Sequence, residues 1–259
     1  MKIYVISLPD SPRRDKIKKQ LNNRNITYEF VDAIDKNTIA NDDTSNIYDS
    51  MACYKRHNRD LVTGEIACFM SHIKAWKIIS ENNDTAIILE DDAILTDNFN
   101  FLSDILSNKI IVNTDVILLG QSKKRPTDEK KHFFHNPIYN KTKHGHISIG
   151  QTFKLWTSGM VGYYLTSDGA KKLITSNSTI KCVSDDWDYH AGNGVLIKEA
   201  RPYVVWEDFE NTPSNIESER SEATKHRNKI ISLLLPPVRF IRAIYRNIVA
   251  QILSCKKQA

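Results

Sequence analysis

The sequence predicts an α/β fold in which a mainly parallel sheet is flanked by helices. Three apolar segments, at 2–8, 27–31 and 85–89, have the length and composition of buried strands, and segments with helical spacing lie between them. Strands that alternate with helices along a chain are typical of a parallel sheet. The chain has 259 residues, which allow one large α/β domain or a domain with an appendage, and 41% of them are hydrophobic, which is enough for a packed core.

The chain opens with a strand, a turn and a helix. Residues 2–8 form the predicted strand, Ser11 is an N-cap candidate, and Pro12 suits the first helical position. The helix is expected to end near Asn22, and the next strand ends at Asp32. This order is the usual start of a nucleotide-binding layer.

The middle of the chain continues the alternation. A polar stretch at 34–63 leads to a helix whose apolar residues recur at helical spacing and predict a buried face. These residues are Ile66, Phe69, Met70, Ile73 and Trp76. A strand is expected at 115–119, followed by a long, mobile, solvated loop at 121–157 that is rich in basic residues. A strand at 159–165 and a helix from Ser167 follow.

Three consecutive acids stand at the end of the third apolar segment. Glu90, Asp91 and Asp92 directly follow the strand at 85–89, and ligand sites of open α/β sheets lie at the carboxyl ends of strands. Adjacent carboxylates repel one another and lose hydration when buried, so a fold tolerates them mainly around a positive group, such as a divalent metal that carries a phosphorylated ligand. A solvated acidic turn before a helix N-terminus is the alternative.

Charge distribution and cysteine usage indicate a cytoplasmic protein with an anionic partner. The formal net charge is +5, with Lys and Arg concentrated in 121–143 and 225–257 and with acids at 90–92 and 185–188. The four cysteines show no paired metal-ligand spacing, and residues 2–6 do not have a signal-peptide pattern. A reducing cytoplasm is therefore the expected compartment.

Taken together, these motifs resemble glycosyltransferase family 25, which includes lipopolysaccharide and lipooligosaccharide glycosyltransferases and collagen galactosyltransferase domains. The resemblance covers roughly residues 2–217. The segments that carry it are 6–14, 31–33, 64–72, 89–93, 162–173 and 184–186. Their order and number make it more specific than any single acidic pair.

The resemblance implies a GT-A type fold, a nucleotide-sugar donor and a divalent metal, usually Mn²⁺, with Mg²⁺ as the alternative. Asp92 would ligate the metal directly. Glu90 and Asp91 would lie near the donor ribose and the metal, with Glu90 as a further ligand. Hard oxygen ligands suit such an ion, which bridges the diphosphate of the donor.

The resemblance also implies which residues hold the uridine of the donor. Pro9 and Arg13 would do so from the turn after the first strand, and Asp32 and Ala33 from the end of the second. The planar guanidinium of Arg13 suits uracil or phosphate. The alternative is a solvated arginine in a first helical turn.

An inverting transfer requires a carboxylate that takes the proton of the acceptor hydroxyl as its oxygen attacks the sugar carbon. Asp186 is the first candidate for this base, and Asp185 is the second. The alternative is that one of them caps a helix beginning at Trp187, which leaves the other for catalysis.

Metal sites of this fold often recruit a late histidine, and this sequence departs from that pattern. After the strand at 203–206, no histidine precedes His226. His190, or the side-chain oxygens of Ser214 and Asn215, are the expected substitutes.

The last segment differs in character from the rest. The chain is therefore expected to consist of a glycosyltransferase domain, 1–217, and a basic amphipathic helical tail, 218–259. Arg239, Arg242 and Arg246 share one helical face and apolar residues share another, which predicts a helix that lies on an anionic membrane surface. The alternative is a helix that packs on the domain or joins two subunits in a homodimer.

These expectations combine into one function. It is an inverting, metal-dependent glycosyltransferase that moves a hexose, galactose from UDP-galactose first, to a lipooligosaccharide acceptor, with the enzyme peripheral on the inner face of the cytoplasmic membrane. UDP-glucose is the alternative donor, and a metal-dependent phosphodiesterase is the alternative enzyme. Nucleic acid is not an expected partner, because both acidic clusters would repel its phosphates.

Overall fold

A computed structural model describes residues 1–39, 46–107, 113–153, 156, 158–209 and 229–255. Among these residues, the strands are β1 (Lys2–Ser7), β2 (Glu29–Asp32), β3 (Ala86–Glu90), β4 (Ala93–Leu95), β5 (Val116–Leu118), β6 (Gly120–Gln121), β7 (Ile138–His144), β8 (Ile147–Thr152), β9 (Gly162–Leu165), β10 (Ile197–Arg201) and β11 (Val205–Glu207). The α-helices are α1 (Arg13–Asn22), α2 (Lys36–Ile39), α3 (Ser50–His57), α4 (Thr63–Glu81), α5 (Phe99–Ser107), α6 (Glu129–His135), α7 (Ser167–Ser176), α8 (Trp187–Gly192) and α9 (Lys229–Cys255).

In the described part of the chain, eight strands form a central sheet in the order β2-β1-β3-β9-β5-β10-β8-β7. β1 is parallel to β2 and β3, and β5 is parallel to β10, whereas β9 and β8 are antiparallel to both of their neighbours. Six strands therefore run in one direction and two in the other, which confirms the predicted α/β class. The carboxyl ends of β1, β2 and β3 lie at one edge, where ligands of such sheets bind.

A smaller sheet brings a late segment of the chain to the same edge. Its strand order is β4-β11-β6. β11 pairs with β4 in antiparallel register, so that Glu207 lies opposite Ala93. The end of β11 is thereby placed beside the turn that follows β3.

Two apolar clusters cover the two sides of the central sheet. In β1, Tyr4 and Ile6 belong to one cluster, and Ile3 and Val5 belong to the other, as expected for alternating side chains. Helix α4 packs into the first cluster, and its predicted buried face is confirmed. The residues of that face, buried or partly buried, are Ile66, Phe69, Met70, Ile73 and Trp76.

The prediction of a long solvated loop at 121–157 is wrong. This segment contains α6 and the antiparallel hairpin of β7 and β8, which extends the central sheet through β10. Ile147 and Ile149 are buried in the second apolar cluster, and Gly145 lies in the connection with φ +58°. Burial of these alternating isoleucines stabilises the strand although its neighbours in sequence are mostly basic or polar.

A buried hydrogen-bond chain links β9 to α4. Trp76 Nε1 donates to the Tyr163 hydroxyl at 2.8 Å, and this hydroxyl lies 2.9 Å from His72 Nδ1. His72 Nε2 lies 3.3 Å from Glu90 Oε1. Burial lowers the pKa of His72 to about 3, so the neutral ring can accept at Nδ1 and donate at Nε2. This hydrogen-bond chain therefore orients the side chain of Glu90 at the end of β3.

We expect Tyr163→Phe to lower the free energy of unfolding by about 1–3 kcal/mol, because it leaves the buried nitrogens of Trp76 and His72 without this partner. Urea denaturation followed by tryptophan fluorescence measures the change. Tyr54→Phe is the control, since Tyr54 is 55% exposed in α3, and it should change the free energy by less than about 0.5 kcal/mol. Equal effects of the two substitutions would show that the buried hydrogen-bond chain adds no stability.

Helix α9 contacts α6 and β7 of the domain. Ala243 and Ala250 are buried, and Asn247 Nδ2 donates to the carbonyl oxygen of Phe134 at 2.8 Å. The rings of Phe240 and Phe134 have centroids 5.5 Å apart. Among the described residues, no helix combines the length and the apolar character that crossing a membrane would require. The predicted boundary between domain and tail, after residue 217, lies outside the described residues.

Candidate active site

The acidic turn, Glu90 to Asp92, lies at the sheet edge where β1, β2 and β3 end. Glu90 is the last residue of β3 and is in register with Ile6 of β1. Asp91 Oδ2 accepts hydrogen bonds from the hydroxyls of Ser7 at 2.7 Å and Ser11 at 2.8 Å. These bonds tie the acidic turn to the turn after β1.

Asp92 is only half satisfied by protein partners. Its Oδ2 accepts from Arg13 Nη1 at 3.3 Å, whereas its Oδ1 is buried and has no hydrogen-bond partner within the described ranges. Arg13 Nη1 also lies 3.6 Å from Asp91 Oδ1. A buried carboxylate oxygen without a donor is costly, and a cation would satisfy it. The residue predicted to ligate the metal thus presents an unused oxygen.

Two further acids, not predicted from the sequence, stand at the end of β11. Glu207 lies opposite Ala93, the residue after Asp92. The backbone nitrogen of Asp208 donates to the carbonyl oxygen of Asp92 at 2.9 Å, and the carboxylate of Asp208 pairs with Lys16. The signal was present in the sequence, because these acids directly follow a buried strand, as the acidic turn does.

Burial and the negative charges of nearby acids raise the pKa values of Glu90 and Asp92. Burial, followed by the negative charges of Glu207, Asp91 and Asp185, raises the pKa of Glu90 to about 8. Burial, together with the charges of Glu90 and Glu207, raises the pKa of Asp92 well above its usual value. Such an excess of negative charge favours a bound cation. A set of carboxylate oxygens fits Mn²⁺ or Mg²⁺.

We expect Mn²⁺ alone to raise the melting temperature more at pH 8 than at pH 6. Glu90 keeps its proton in the folded, metal-free protein up to about pH 8, whereas the unfolded chain loses it near 4.5, so stability without metal falls as pH rises across this interval. At pH 6 the ion must first displace protons, and at pH 8 it displaces fewer.

Thermal denaturation at the two pH values measures this difference. In Glu90→Gln, which cannot titrate at this position, the difference should be much smaller. Equal Mn²⁺-induced shifts at pH 6 and pH 8 in the parent protein would contradict the assignment of Glu90 to the cation site.

A second set of ligand atoms adjoins the carboxylates. Ligand atoms of Cys68, His72 and Glu90 lie within 4.8 Å of one another. Cys68 and His72 stand four residues apart on α4 and therefore on one face of the helix. A neutral imidazole is a ligand for transition metals. Glu90 thus belongs to this set of ligand atoms and also lies next to the negatively charged Asp91 and Glu207, whose charges act on it.

Asp186 is held by an ion pair and a helix cap. Its Oδ1 accepts from Arg56 Nη2 at 2.7 Å and from the backbone nitrogen of Tyr189 at 3.0 Å, and its Oδ2 pairs with Arg56 Nε. Burial alone would raise the pKa of Asp186, but the bonds from Arg56 and Tyr189 and the positive charge nearby lower it overall. A carboxylate so occupied is a weak base, and the capping alternative applies to Asp186.

Asp185, not Asp186, is the acid whose charge acts on the acidic turn, because it contributes to the raised pKa of Glu90. Its Oδ2 accepts from the backbone nitrogen of Gly159 at 2.7 Å. Gly159 has φ +88°, and a Cβ there would come within 1.7 Å of Ser122 Oγ, so only glycine fits this position. The order of the two candidate bases stays a prediction, and these contacts favour Asp185 over Asp186.

His190 is a buried core residue, and its surroundings do not favour the predicted role as a metal ligand. Its Nε2 lies 3.0 Å from the carbonyl oxygen of Ser184, and its Nδ1 lies 3.5 Å from Asn177 Nδ2, so both nitrogens face protein groups. The other predicted substitutes, Ser214 and Asn215, lie outside the described residues. The ring of His190 packs in an aromatic cluster with Phe69, Trp76, Trp187 and Tyr189.

The remaining predicted donor residues are brought to the same edge by β1 and β2. The backbone nitrogen of Ala33 donates to the carbonyl oxygen of Ser7 at 2.9 Å. Asp32 is 57% exposed and pairs with Arg14. Pro9 is exposed in the turn after β1. These positions are open to a ligand that also contacts the acidic turn.

Comparison with known proteins gives consistent matches. A family model described as "Glycosyltransferase family 25 (LPS biosynthesis protein)" matches residues 1–187. Lipooligosaccharide biosynthesis protein lic2B of Haemophilus influenzae is 28% identical over 272 residues, which cover 95% of each chain. A second Haemophilus influenzae protein, described as a putative glycosyltransferase, is 30% identical over 219 residues, 82% of this chain and 72% of the other.

Similarity extends to a vertebrate protein of greater length. Procollagen galactosyltransferase 1-A of Xenopus laevis is 29% identical over 194 residues, which are 71% of this chain. The chain spans about 30% of the length of that relative.

Proposed function

Because the chain belongs to glycosyltransferase family 25, we propose that it is an inverting, metal-dependent hexosyltransferase that uses a UDP-sugar, UDP-galactose first, and a lipooligosaccharide acceptor. The acceptor class is supported by the similarity to lic2B over 95% of both chains, and galactose is supported by the similarity to the procollagen galactosyltransferase of Xenopus laevis. The observation that carries the metal-dependent part is the buried, unpartnered Oδ1 of Asp92 within a group of mutually repelling acids.

Asp92 and Glu90 are the proposed metal ligands, and Glu207 takes the place of the late histidine. These acids come from the end of β3, the turn after it and the end of β11, and the negative charge of Glu207 raises the pKa of both Glu90 and Asp92, after burial, which is the larger cause. Bound by these acids, Mn²⁺ or Mg²⁺ would stabilise the negative charge on the leaving diphosphate. Asp91 keeps the turn in place through its bonds to Ser7 and Ser11.

Asp185 is the proposed base. Its Oδ2 is held by Gly159, and no hydrogen bond to its Oδ1 is found in the described part of the chain. In the transfer, one carboxylate oxygen takes the proton of the acceptor hydroxyl as the acceptor oxygen bonds to the sugar carbon and the bond to the diphosphate breaks. Pro9, Arg13, Asp32 and Ala33 are proposed to bind the uridine.

The test is a donor screen that measures UDP release from UDP-galactose, UDP-glucose and UDP-N-acetylglucosamine, with a short soluble lipooligosaccharide acceptor. We expect release that requires both acceptor and Mn²⁺, with UDP-galactose the fastest. Faster release from UDP-glucose would reassign the donor. UDP release that is unchanged when a chelator removes the metal would contradict metal dependence. The anomeric configuration of the product decides between inversion and retention.

A lipid-linked acceptor places the proposed reaction at a membrane surface. We propose that α9 holds the enzyme on the inner face of the cytoplasmic membrane, with apolar residues at the acyl boundary and arginines near anionic headgroups. Sedimentation with anionic and neutral vesicles tests this association.

A further inference from the structure

Positive charge is concentrated in a pocket between α6 and α9. The pocket has a volume of about 540 Å³, and Asp128 is the one acid among the described residues that line it. Its principal cations are Lys124, Lys131, Arg239, Arg242 and Arg246. Three of these come from the tail helix and two from the domain, so the pocket exists only where α9 packs on the domain.

In the described part of the chain, no carboxylate forms an ion pair with the cations of this pocket: none of the five has a carboxylate oxygen within 4.0 Å. His132, which also lines the pocket, has a buried Nε2 without a hydrogen-bond partner in the same ranges. Burial, and then the charges of Arg201, Lys124 and His135, lower the pKa of His132 to about 4. An anion in the pocket would relieve this repulsion.

An exposed apolar stripe runs along α9 beside the pocket. Its members are Ile241, Tyr245, Ile248 and Ile252, which are 67%, 67%, 52% and 52% exposed. Their spacing of four, three and four residues puts them on one face, away from the face of Ala243 and Ala250 that is buried against the domain. The same helix therefore presents an apolar surface and one wall of a cationic pocket.

We propose that this pocket binds the phosphomonoester group of a membrane lipid, whose acyl chains lie along the exposed stripe of α9. The proposal deepens the proposed membrane association and rests on it. Guanidinium groups bind phosphate oxygens through paired hydrogen bonds, and a phosphomonoester carries more charge than a phosphodiester. A pocket of five cations should therefore prefer the monoester.

Vesicle sedimentation at low salt tests the proposal with the full chain. Phosphatidylcholine vesicles carry equal mole fractions of phosphatidic acid, a monoester, or phosphatidylglycerol, a diester, or no anionic lipid. We expect at least about tenfold tighter binding to the phosphatidic acid vesicles than to the phosphatidylglycerol vesicles. The triple variant Arg239→Gln/Arg242→Gln/Arg246→Gln should bind phosphatidic acid vesicles roughly 100-fold more weakly and lose the preference.

A matched control removes the same charge elsewhere. Lys18, Lys19 and Lys77 are exposed on α1 and α4, and the triple glutamine variant at these positions should keep the preference for the monoester. Ile241→Ser/Ile248→Ser should weaken binding to both kinds of anionic vesicle. Circular dichroism and Mn²⁺-dependent binding of UDP, measured on each preparation, should match the parent protein.

Several results would overturn the proposal. Equal binding of the parent to both anionic vesicles would indicate a general attraction to negative surfaces. A second contrary result is that the parent protein binds inorganic phosphate in calorimetry, the arginine variant does not, and the parent shows no preference between the vesicles. It would indicate that the pocket is a site for a free anion. Dimers that the isoleucine variant converts to monomers, without vesicle binding, would assign the stripe to subunit contact. Vesicle preference in a protein that binds no UDP would contradict the proposed function alone.

Discussion

Asp92→Asn is expected to weaken the Mn²⁺-dependent binding of UDP by more than about 100-fold, because loss of residues that only orient metal ligands already costs about 10–100-fold. Asparagine has the shape of the protonated acid, and the pKa of Asp92 is raised well above its usual value. The substitution should therefore leave the metal-free protein as stable as the parent. Titration calorimetry of UDP with and without Mn²⁺ measures the loss.

Asp97→Asn is the matched control, since Asp97 is fully exposed after β4 and its carboxylate lies 4.0 Å from Arg24 Nη2. It should bind UDP as the parent does. Parental, Mn²⁺-dependent affinity in Asp92→Asn would refute the role of Asp92. Cys68→Ser, tested in parallel, then asks whether the ion is held instead by the set of Cys68, His72 and Glu90.

The acidic turn could be predicted from the sequence because its signal is local. An apolar strand followed by acids is visible within eight residues, and the sheet rule then places the acids at a ligand-binding edge. The same rule applies to Glu207 and Asp208, which directly follow the strand at 203–206. The expected late metal ligand was a histidine, so these two acids were not assigned to the site. A carboxylate serves a hard cation equally well.

The choice between Asp185 and Asp186 could not be predicted, because it depends on partners that are distant in sequence. Arg56 pairs with Asp186 across 130 positions, and Asp186 also caps α8 by accepting from the backbone nitrogen of Tyr189. Neighbouring residues in a tight turn point in different directions, so a small change in the backbone exchanges their roles. The burial of His190 in an aromatic cluster likewise depends on how α8 packs against α4.

The hairpin of β7 and β8 was missed for a different reason. Its buried residues, Ile147 and Ile149, are few, and basic and polar residues dominate the segment. Its stability comes from pairing with β10 and from the apolar cluster beneath, which are tertiary features. The contacts of α6 and β7 with α9 show that this basic segment supports the tail helix.

Asp185→Asn is expected to lower kcat by about two to four orders of magnitude with little change in donor affinity, which is the usual contribution of a general base. Asparagine can still accept the hydrogen bond of Gly159 through its side-chain oxygen, so the turn before α8 should keep its conformation. UDP release with saturating acceptor measures kcat, and calorimetry measures donor affinity.

Asp186→Asn tests whether Asp186 acts in catalysis or only in stability, because Asp185 and Asp186 are adjacent but have different hydrogen-bond partners. Asparagine cannot carry the charge that pairs with Arg56, so the free energy of unfolding should fall by about 1.5–3 kcal/mol, the range for a hydrogen bond to a charged group. Its kcat should fall by less than about tenfold, because Asp185 retains its proton-accepting oxygen.

A larger loss of kcat in Asp186→Asn than in Asp185→Asn would return the base to Asp186. Small, equal losses in both would place the base outside this turn and would leave Glu90, whose pKa is raised to about 8, as the next group to substitute.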